Sequence, residues 1–174
     1  MILKGLKRNA LKKSIESHLK KRSTEQKDVT TLKTLAVLLD ASKAINILSV
    51  VKLANELGVK SDKLKVVGYK EDQKELEDDK DAAYYNDKSF GMNGAVKSGS
   101  LNEFINEDFD VLINFYDEDK LELNYVAVAS KAKLKVGFAE VDNRINDLII
   151  GSTTNDTNLF IAELKKYLKI LQII

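Results

Sequence analysis

The chain of 174 residues has no cysteine and a single histidine, His18. Without thiols there is neither a disulfide framework nor a cysteine-based zinc site. One imidazole removes multi-histidine metal centres and most nucleophile–histidine–acid schemes. Proline is absent as well, against an average usage of about 5%. Lysine, isoleucine and asparagine are abundant instead, which reads as base bias rather than function. No stretch approaches the roughly 18 consecutive apolar residues of a membrane-spanning helix. Residues 1–22 also lack the unbroken apolar segment and small-residue cleavage site of a secretory signal, so the expected compartment is the cytoplasm. Gly-Lys-Ser and Gly-Lys-Thr occur nowhere, which excludes the P-loop.

What is present is 44% hydrophobic residues, the composition of a globular protein of one domain, or one domain with an arm. A net charge of +1 conceals a marked asymmetry. Residues 1–22 hold eight bases, Lys4, Lys7, Arg8, Lys12, Lys13, Lys20, Lys21 and Arg22, against one acid, Glu16, a net +7. The remaining residues carry 20 bases and 26 acids, a net −6. In the basic segment Leu3, Leu6, Ala10, Leu11, Ile15, His18 and Leu19 recur at helical spacing, giving one narrow apolar stripe. Three readings follow: the stripe packs on the body while the lysines face water, the helix lies on anionic lipid, or its bases contact RNA or ribosomal phosphates. The stripe has no Trp or Phe to sit at a lipid interface. Nor has it aromatics to stack on bases, so a nucleic-acid contact would be to phosphates. The expected organisation is a basic amphipathic helix over 1–22, a linker over 23–33 and one α/β domain over 34–174.

From residue 34 the pattern alternates strand and helix. Leu35, Ala36, Val37, Leu38 and Leu39 form a short apolar run ending in Asp40, as in a strand buried on both faces. A helix over 42–57 follows, with Ile45, Leu48, Val50, Val51, Leu53, Ala54 and Leu57 inside and Gly58 as its C-cap. Residues 63–69 are a second strand, with Gly68 at a close approach. Residues 71–81 are acidic, 82–85 read as a short added strand, and 86–100 as a glycine-punctuated loop docked by Phe90 and Met92. Then come a helix over 101–106, a strand over 109–115, a helix over 119–132, strands over 133–138 and 147–150, and a last helix over 158–174. That helix bears Phe160, Leu164, Tyr167, Leu168, Leu171 and Ile174 on one stripe, widened by Ile161, Ile170 and Ile173. The surplus calls for a second surface, either the N-terminal helix or another copy of the chain. The fold class is α/β: a Rossmann-like, doubly wound, mostly parallel sheet of about five strands in order 3-2-1-4-5, with room for an extra edge strand and helices on both faces.

In such sheets ligands bind beyond the carboxyl ends of the strands, where strand order reverses. Here that crevice brings Asp40 and Ser42 toward Tyr116, Asp117, Glu118 and Asp119. Oxygen ligands at Asp40, Asp117 and Asp119 would suit magnesium or manganese, or a phosphosugar. The competing reading makes Asp40 and Asp119 helix N-caps. The turn after the first strand, Leu39-Asp40-Ala41-Ser42-Lys43, lacks the glycines of a dinucleotide site. A phospho-receiver would need a second acid beside Asp40. The run Ile150-Gly151-Ser152-Thr153-Thr154 offers hydroxyls to an anion or serves as an ordinary turn, with Asp156 or Thr157 capping the last helix. His18 reads as an interface residue.

Met-Ile-Leu-Lys-Gly-Leu-Lys at 1–7, Phe-Gly-Met-Asn-Gly at 90–94, Phe-Asp-Val-Leu-Ile-Asn-Phe-Tyr-Asp-Glu-Asp at 109–119 and Ala-Lys-Leu-Lys-Val-Gly-Phe at 132–138 resemble a bacterial domain-of-unknown-function family over nearly the whole chain. That resemblance implies a cytoplasmic α/β protein and supplies no activity, cofactor or catalytic residue. Over about 30 residues, the run FDVLIN, a helix and KVGF are similar to the N-terminal half of heptosyltransferase-like glycosyltransferases, a string that parallel sheets generate readily.

The sequence favours a non-enzymatic binding or adaptor module whose basic N-terminal helix meets an anionic surface or a partner protein, with no cofactor and no catalytic residue. The alternative is a nucleotide- or phosphosugar-binding domain, or a glycosyltransferase-like enzyme, at the Asp40/Asp117 crevice. A homo-oligomer contact is expected, if anywhere, on the C-terminal helix.

Overall fold

The structure, a computed structural model, describes residues 2–22, 28–43, 47–71, 76 and 80–174. Most of the acidic stretch, Ile45 and part of the expected linker lie outside these residues. The chain opens with helix α1 (Ile2–Arg22). Strand β1 (Leu35–Asp40), helix α2 (Ile47–Glu56), strand β2 (Leu64–Tyr69) and strand β3 (Ala83–Tyr85) follow. Next are helix α3 (Gly99–Asn106), strand β4 (Val111–Phe115), helix α4 (Leu121–Ala129), strands β5 (Leu134–Phe138) and β6 (Leu148–Ile150), and helix α5 (Thr157–Ile170).

The six strands form one sheet in order β3-β2-β1-β4-β5-β6, and every pairing is parallel. The expected five-strand order is therefore present, with β3 and β6 as the two edges. Strands β1 and β4 sit in the middle and are buried along their whole length, because both faces are covered. On one face Leu35, Val37, Leu39, Ile113 and Phe115 pack against Val50 and Leu53 of α2 and Phe160, Leu164 and Leu168 of α5. On the other, Ala36, Leu38 and Leu112 share a core with α3 and α4, to which α1 adds an outer layer.

Helix α4 is buried from Glu122 through Val128, all around its circumference, as a helix must be when it is covered on both sides. Its outer cover is α1, through Leu11, Ile15 and Leu19. His18 stacks edge-on against Tyr125 of α4 at 6.0 Å. A chain of ring contacts then runs from Tyr125 through Phe90 and Tyr85 to Tyr69. Residues 32–34 are pinned to the body: Leu32 N donates to Ile173 O, and the Lys33 and Thr34 amides both donate to Asp110 Oδ2 at 2.9 Å.

Local chemistry explains several boundaries. Gly58 has φ +78°, and the Gly58→Asn55 and Val59→Ala54 amide bonds close a Schellman motif after α2. A Cβ on Gly68 would come within 2.9 Å of both Ala41 and the Tyr84 ring, the close approach expected there. Asp156 caps α5 by accepting from Leu159 N.

Other expectations are corrected. Met92 does not dock with Phe90; it is 46% exposed, while Phe90 is buried. Leu48 stands outside the core of α2. At the end of α5 the stripe breaks, because the chain leaves the helix after Ile170 and Gln172 takes φ +58°. That turn buries Ile173 and leaves Leu171 and Ile174 in solvent. The surplus of α5 is not covered by α1, which lies on the opposite face of the sheet.

Candidate functional site

Sheet order reverses between β1 and β4, and a polar network gathers there. Asp40 ends β1 with its side chain only 1% exposed. Its Oδ1 accepts from Ser42 N in a tight turn, and its Oδ2 faces the Lys120 ammonium at 2.8 Å. Lys120 also reaches Glu71 at 3.1 Å, and Glu71 N donates to Ser42 Oγ. Burial alone would lower the Lys120 pKa, but Asp40 and Glu71 outweigh it and hold the ammonium above its ordinary value.

Beside this pair, Lys43 lies 2.5 Å from Asp117 and 3.1 Å from Glu118. Thr154 Oγ1 donates to the other oxygen of Asp117 at 2.6 Å. Burial would raise the Asp117 carboxyl, yet Lys43 and Thr154 hold it below the usual carboxylate range. Asp119 turns away from both. Its Oδ1 accepts from Asn124 Nδ2 at 2.8 Å and from Asp142 N, and Asn124 in turn accepts from Tyr116 OH.

The four crevice residues read from the sequence are thus placed at the switch point, but in separate roles. Asp40 and Ser42 join the Lys120–Glu71 group, Asp117 joins Lys43 and Thr154, and Asp119 belongs to a hydrogen-bonded chain behind α4. Neither Asp40 nor Asp119 caps a helix: the described part of α2 starts at Ile47, and the N-cap position of α4 is Lys120. Among the described residues no group of three or more His, Asp or Glu side chains is close enough to hold a metal ion. Asp40 and Asp117 are each met by an ammonium, from Lys120 and Lys43 respectively. Of the hydroxyls at 152–154, Ser152 bonds Asp156 O and Thr154 bonds Asp117.

Lys43, Lys120 and the buried pair Asn114–Asn146 were not singled out in the sequence. Asn114 Nδ2 donates to Asn146 Oδ1 at 2.7 Å, leaving Asn114 Oδ1 and Asn146 Nδ2 without a hydrogen-bond partner among the described residues. Asn146 fits only because β5 carries Gly137 beneath it; a Cβ there would collide with the Asn146 amide. A lysine next to an acidic run was the one available signal for Lys120.

The second region is α1. Two of its eight bases are turned inward. Lys7 is buried, bonding the Asp87 carbonyl and pairing with its carboxylate at 3.2 Å. Arg22 donates to the Arg144 and Ile145 carbonyls and pairs with Asp147. Glu16, the only acid, is held by Arg144, whose guanidinium also grips Asp142. Lys4, Arg8, Lys12, Lys13, Lys20 and Lys21 are exposed. Lys4, Arg8, Lys12 and Lys13 make no ion pair among the described residues. A shallow depression of about 420 Å³ runs along this face, lined by Lys12, Lys13, Glu16, Ser17 and Lys20. His18 is held below its ordinary pKa by burial, then by Lys21 and Lys135, and is neutral near pH 7.

A larger surface groove, about 610 Å³, lies on the other side of the sheet between α2 and α5. Two of its lysines are matched by acids, Lys165 by Glu56 and Lys166 by Glu163. No helix among the described residues is long and apolar enough to cross a membrane.

No curated protein and no solved structure matches the chain, so the local likeness to heptosyltransferase-like glycosyltransferases rests on that short string alone. A family model does match, over residues 7–171, which takes in α1 from Lys7 onward and the crevice. The chain belongs to this family of unknown function (DUF6913).

Proposed function

We propose that the chain is a non-enzymatic binding module that presents the exposed bases of α1 to an anionic surface or partner. One observation carries this reading: Lys4, Arg8, Lys12 and Lys13 are exposed without an ion pair among the described residues, whereas the crevice lysines are spent on Asp40, Asp117, Glu71 and Glu118. In this reading residues 34–174 are a scaffold on which α1 is fixed by Leu11, Ile15, Leu19, Lys7 and Arg22. Its bases are therefore held in one geometry before any partner arrives, which lowers the ordering cost of association.

The test is retention of the full chain on a heparin matrix. The wild type is expected to elute at clearly higher salt than the Arg8→Gln/Lys12→Gln/Lys13→Gln variant, because a polyanion releases fewer counterions when fewer bases neutralise it. Elution of the two proteins together, with the variant melting no lower than the wild type, defeats the reading.

A second reading, ligand binding at the crevice, draws support from the two unbonded buried atoms of Asn114 and Asn146 near the reversal point. It expects magnesium, manganese or a nucleotide sugar to raise the melting temperature of the wild type but not of Asp40→Ala or Asp117→Ala. No rise in the wild type removes it.

A further inference from the structure

The bases of α1 are not uniform along its length. Its first two turns carry Ile2, Leu3 and Leu6, which are 82%, 66% and 55% exposed, interleaved with Lys4 and Arg8 and without any acid. The apolar stripe that docks on α4 begins only at Leu11. The helix therefore carries an aliphatic, positively charged end beyond the stripe that packs on α4. Lys7 anchors the base of this tip through Asp87. The loop at 90–96 closes against it as well: Gly94, at φ +77°, leaves its Cβ position 3.3 Å from the Ala10 backbone. Met92, on the same loop, is 46% exposed.

We infer that this tip inserts into an anionic lipid surface, a proposal that rests on the binding-module reading above and names its partner. The charge pattern favours lipid over other polyanions. A nucleic acid would use the bases but has no use for exposed Ile and Leu, and the tip has no aromatic side chain to stack on bases. An anionic bilayer uses both chemistries at once: phosphates for Lys4, Arg8, Lys12 and Lys13, and the acyl boundary for Ile2, Leu3, Leu6 and Met92. Interfacial helices bury their apolar side about 5–10 Å into the headgroup and acyl boundary. Lys4 and Arg8 extend their methylenes along the aliphatic surface and bring their charges up to the phosphates. Residues 23–174 meanwhile carry a net −6 against the +7 of residues 1–22, so an anionic membrane draws the protein in by α1 and repels the rest.

The experiment is flotation of the full chain with vesicles of phosphatidylcholine alone or mixed with phosphatidylglycerol. Wild-type protein should float with the mixed vesicles and remain behind with pure phosphatidylcholine. Leu3→Gln/Leu6→Gln, both at exposed positions, should weaken flotation about tenfold or more while leaving the melting temperature and heparin retention unchanged. Arg8→Gln/Lys12→Gln should weaken both, flotation by roughly 25-fold at about fivefold per base. If the leucine variant floats like the wild type, insertion is wrong. If heparin retention is strong and no vesicle is bound, the partner is a different polyanion or an acidic protein; the lipid inference falls and the binding-module reading stands. Loss of both in the wild type defeats both.

Discussion

Lys120, at the crevice, and Lys12, on the outer face of α1, carry the same ammonium group in opposite settings. Lys120 is 19% exposed, lies 2.8 Å from a carboxylate that is itself sealed from water, and has a second acid within reach. Lys12 is exposed and makes no ion pair among the described residues. The first is a charge the fold consumes. The second is a charge the fold merely carries. At the switch point acids and bases neutralise one another in pairs, whereas α1 gathers four exposed bases that make no ion pair among the described residues.

The contrast is broken most directly at Lys120. Lys120→Met leaves Asp40 as a buried carboxylate without its cation, and such half-broken pairs cost about 3 kcal/mol or more. A urea titration at neutral pH should show the midpoint falling with an unchanged slope. Adding Asp40→Asn to that variant should restore most of the loss, since the stranded charge is gone. If Lys120→Met is neutral, the crevice ammonium is as idle as Lys12, and the site is open to a ligand after all.

Asp117 gives a smaller, pH-dependent effect. Lys43 and Thr154 hold its carboxyl below the usual range, so the folded state binds its proton less readily than the unfolded chain. The stabilisation is present above the unfolded carboxylate pKa of about 3.9 and is lost as pH falls through the lower folded value. Asp117→Asn should cost about 1 kcal/mol near pH 7, the upper end for a partly exposed pair, and the gap to wild type should close in strong acid. A gap that persists at low pH would assign the loss to packing instead of charge.

Much of this architecture was readable because burial leaves a periodic trace. Leu35 through Leu39 and Val111 through Phe115 are apolar on both faces, and they are the two central strands. Gly58, Gly68 and Asp156 announce a helix end, a close approach and a cap. The same logic fails where an element is ended by tertiary contacts. Leu171 and Ile174 continue the α5 stripe in sequence, but the turn at Gln172 sends Ile173 inward instead.

The site was half legible for a related reason. Asp40 and Asp117 could be placed at the reversal point, since strand order puts them there. Their partners could not be. Lys43 meets Asp117 across 74 residues and Lys120 meets Asp40 across 80, and a charge pair formed through sheet register has no period to follow. Lys7 misleads in the opposite sense. It reads as one more solvated base, and only the Asp87 carbonyl shows why it is drawn under the helix.

The smallest effect has the sign that separates the two regions. On α1, Lys4, Arg8 and Lys12 follow one another at four-residue steps, so Arg8 faces a like charge on either side. Each such pair is unfavourable by about 0.2–0.5 kcal/mol. Arg8→Gln should therefore stabilise the protein by a few tenths of a kcal/mol, a rise in Tm of about 1 °C for a chain of this size. The gain should fade as added salt shortens the Debye length below the spacing of the charges. The same substitution weakens heparin retention. A variant that is more stable and binds less is what a charge kept for an external partner produces, and it is the reverse of the loss expected at Lys120. A fall in Tm on Arg8→Gln would mean that the fold uses Arg8 too, and the distinction between consumed and presented charge would have to be redrawn along α1.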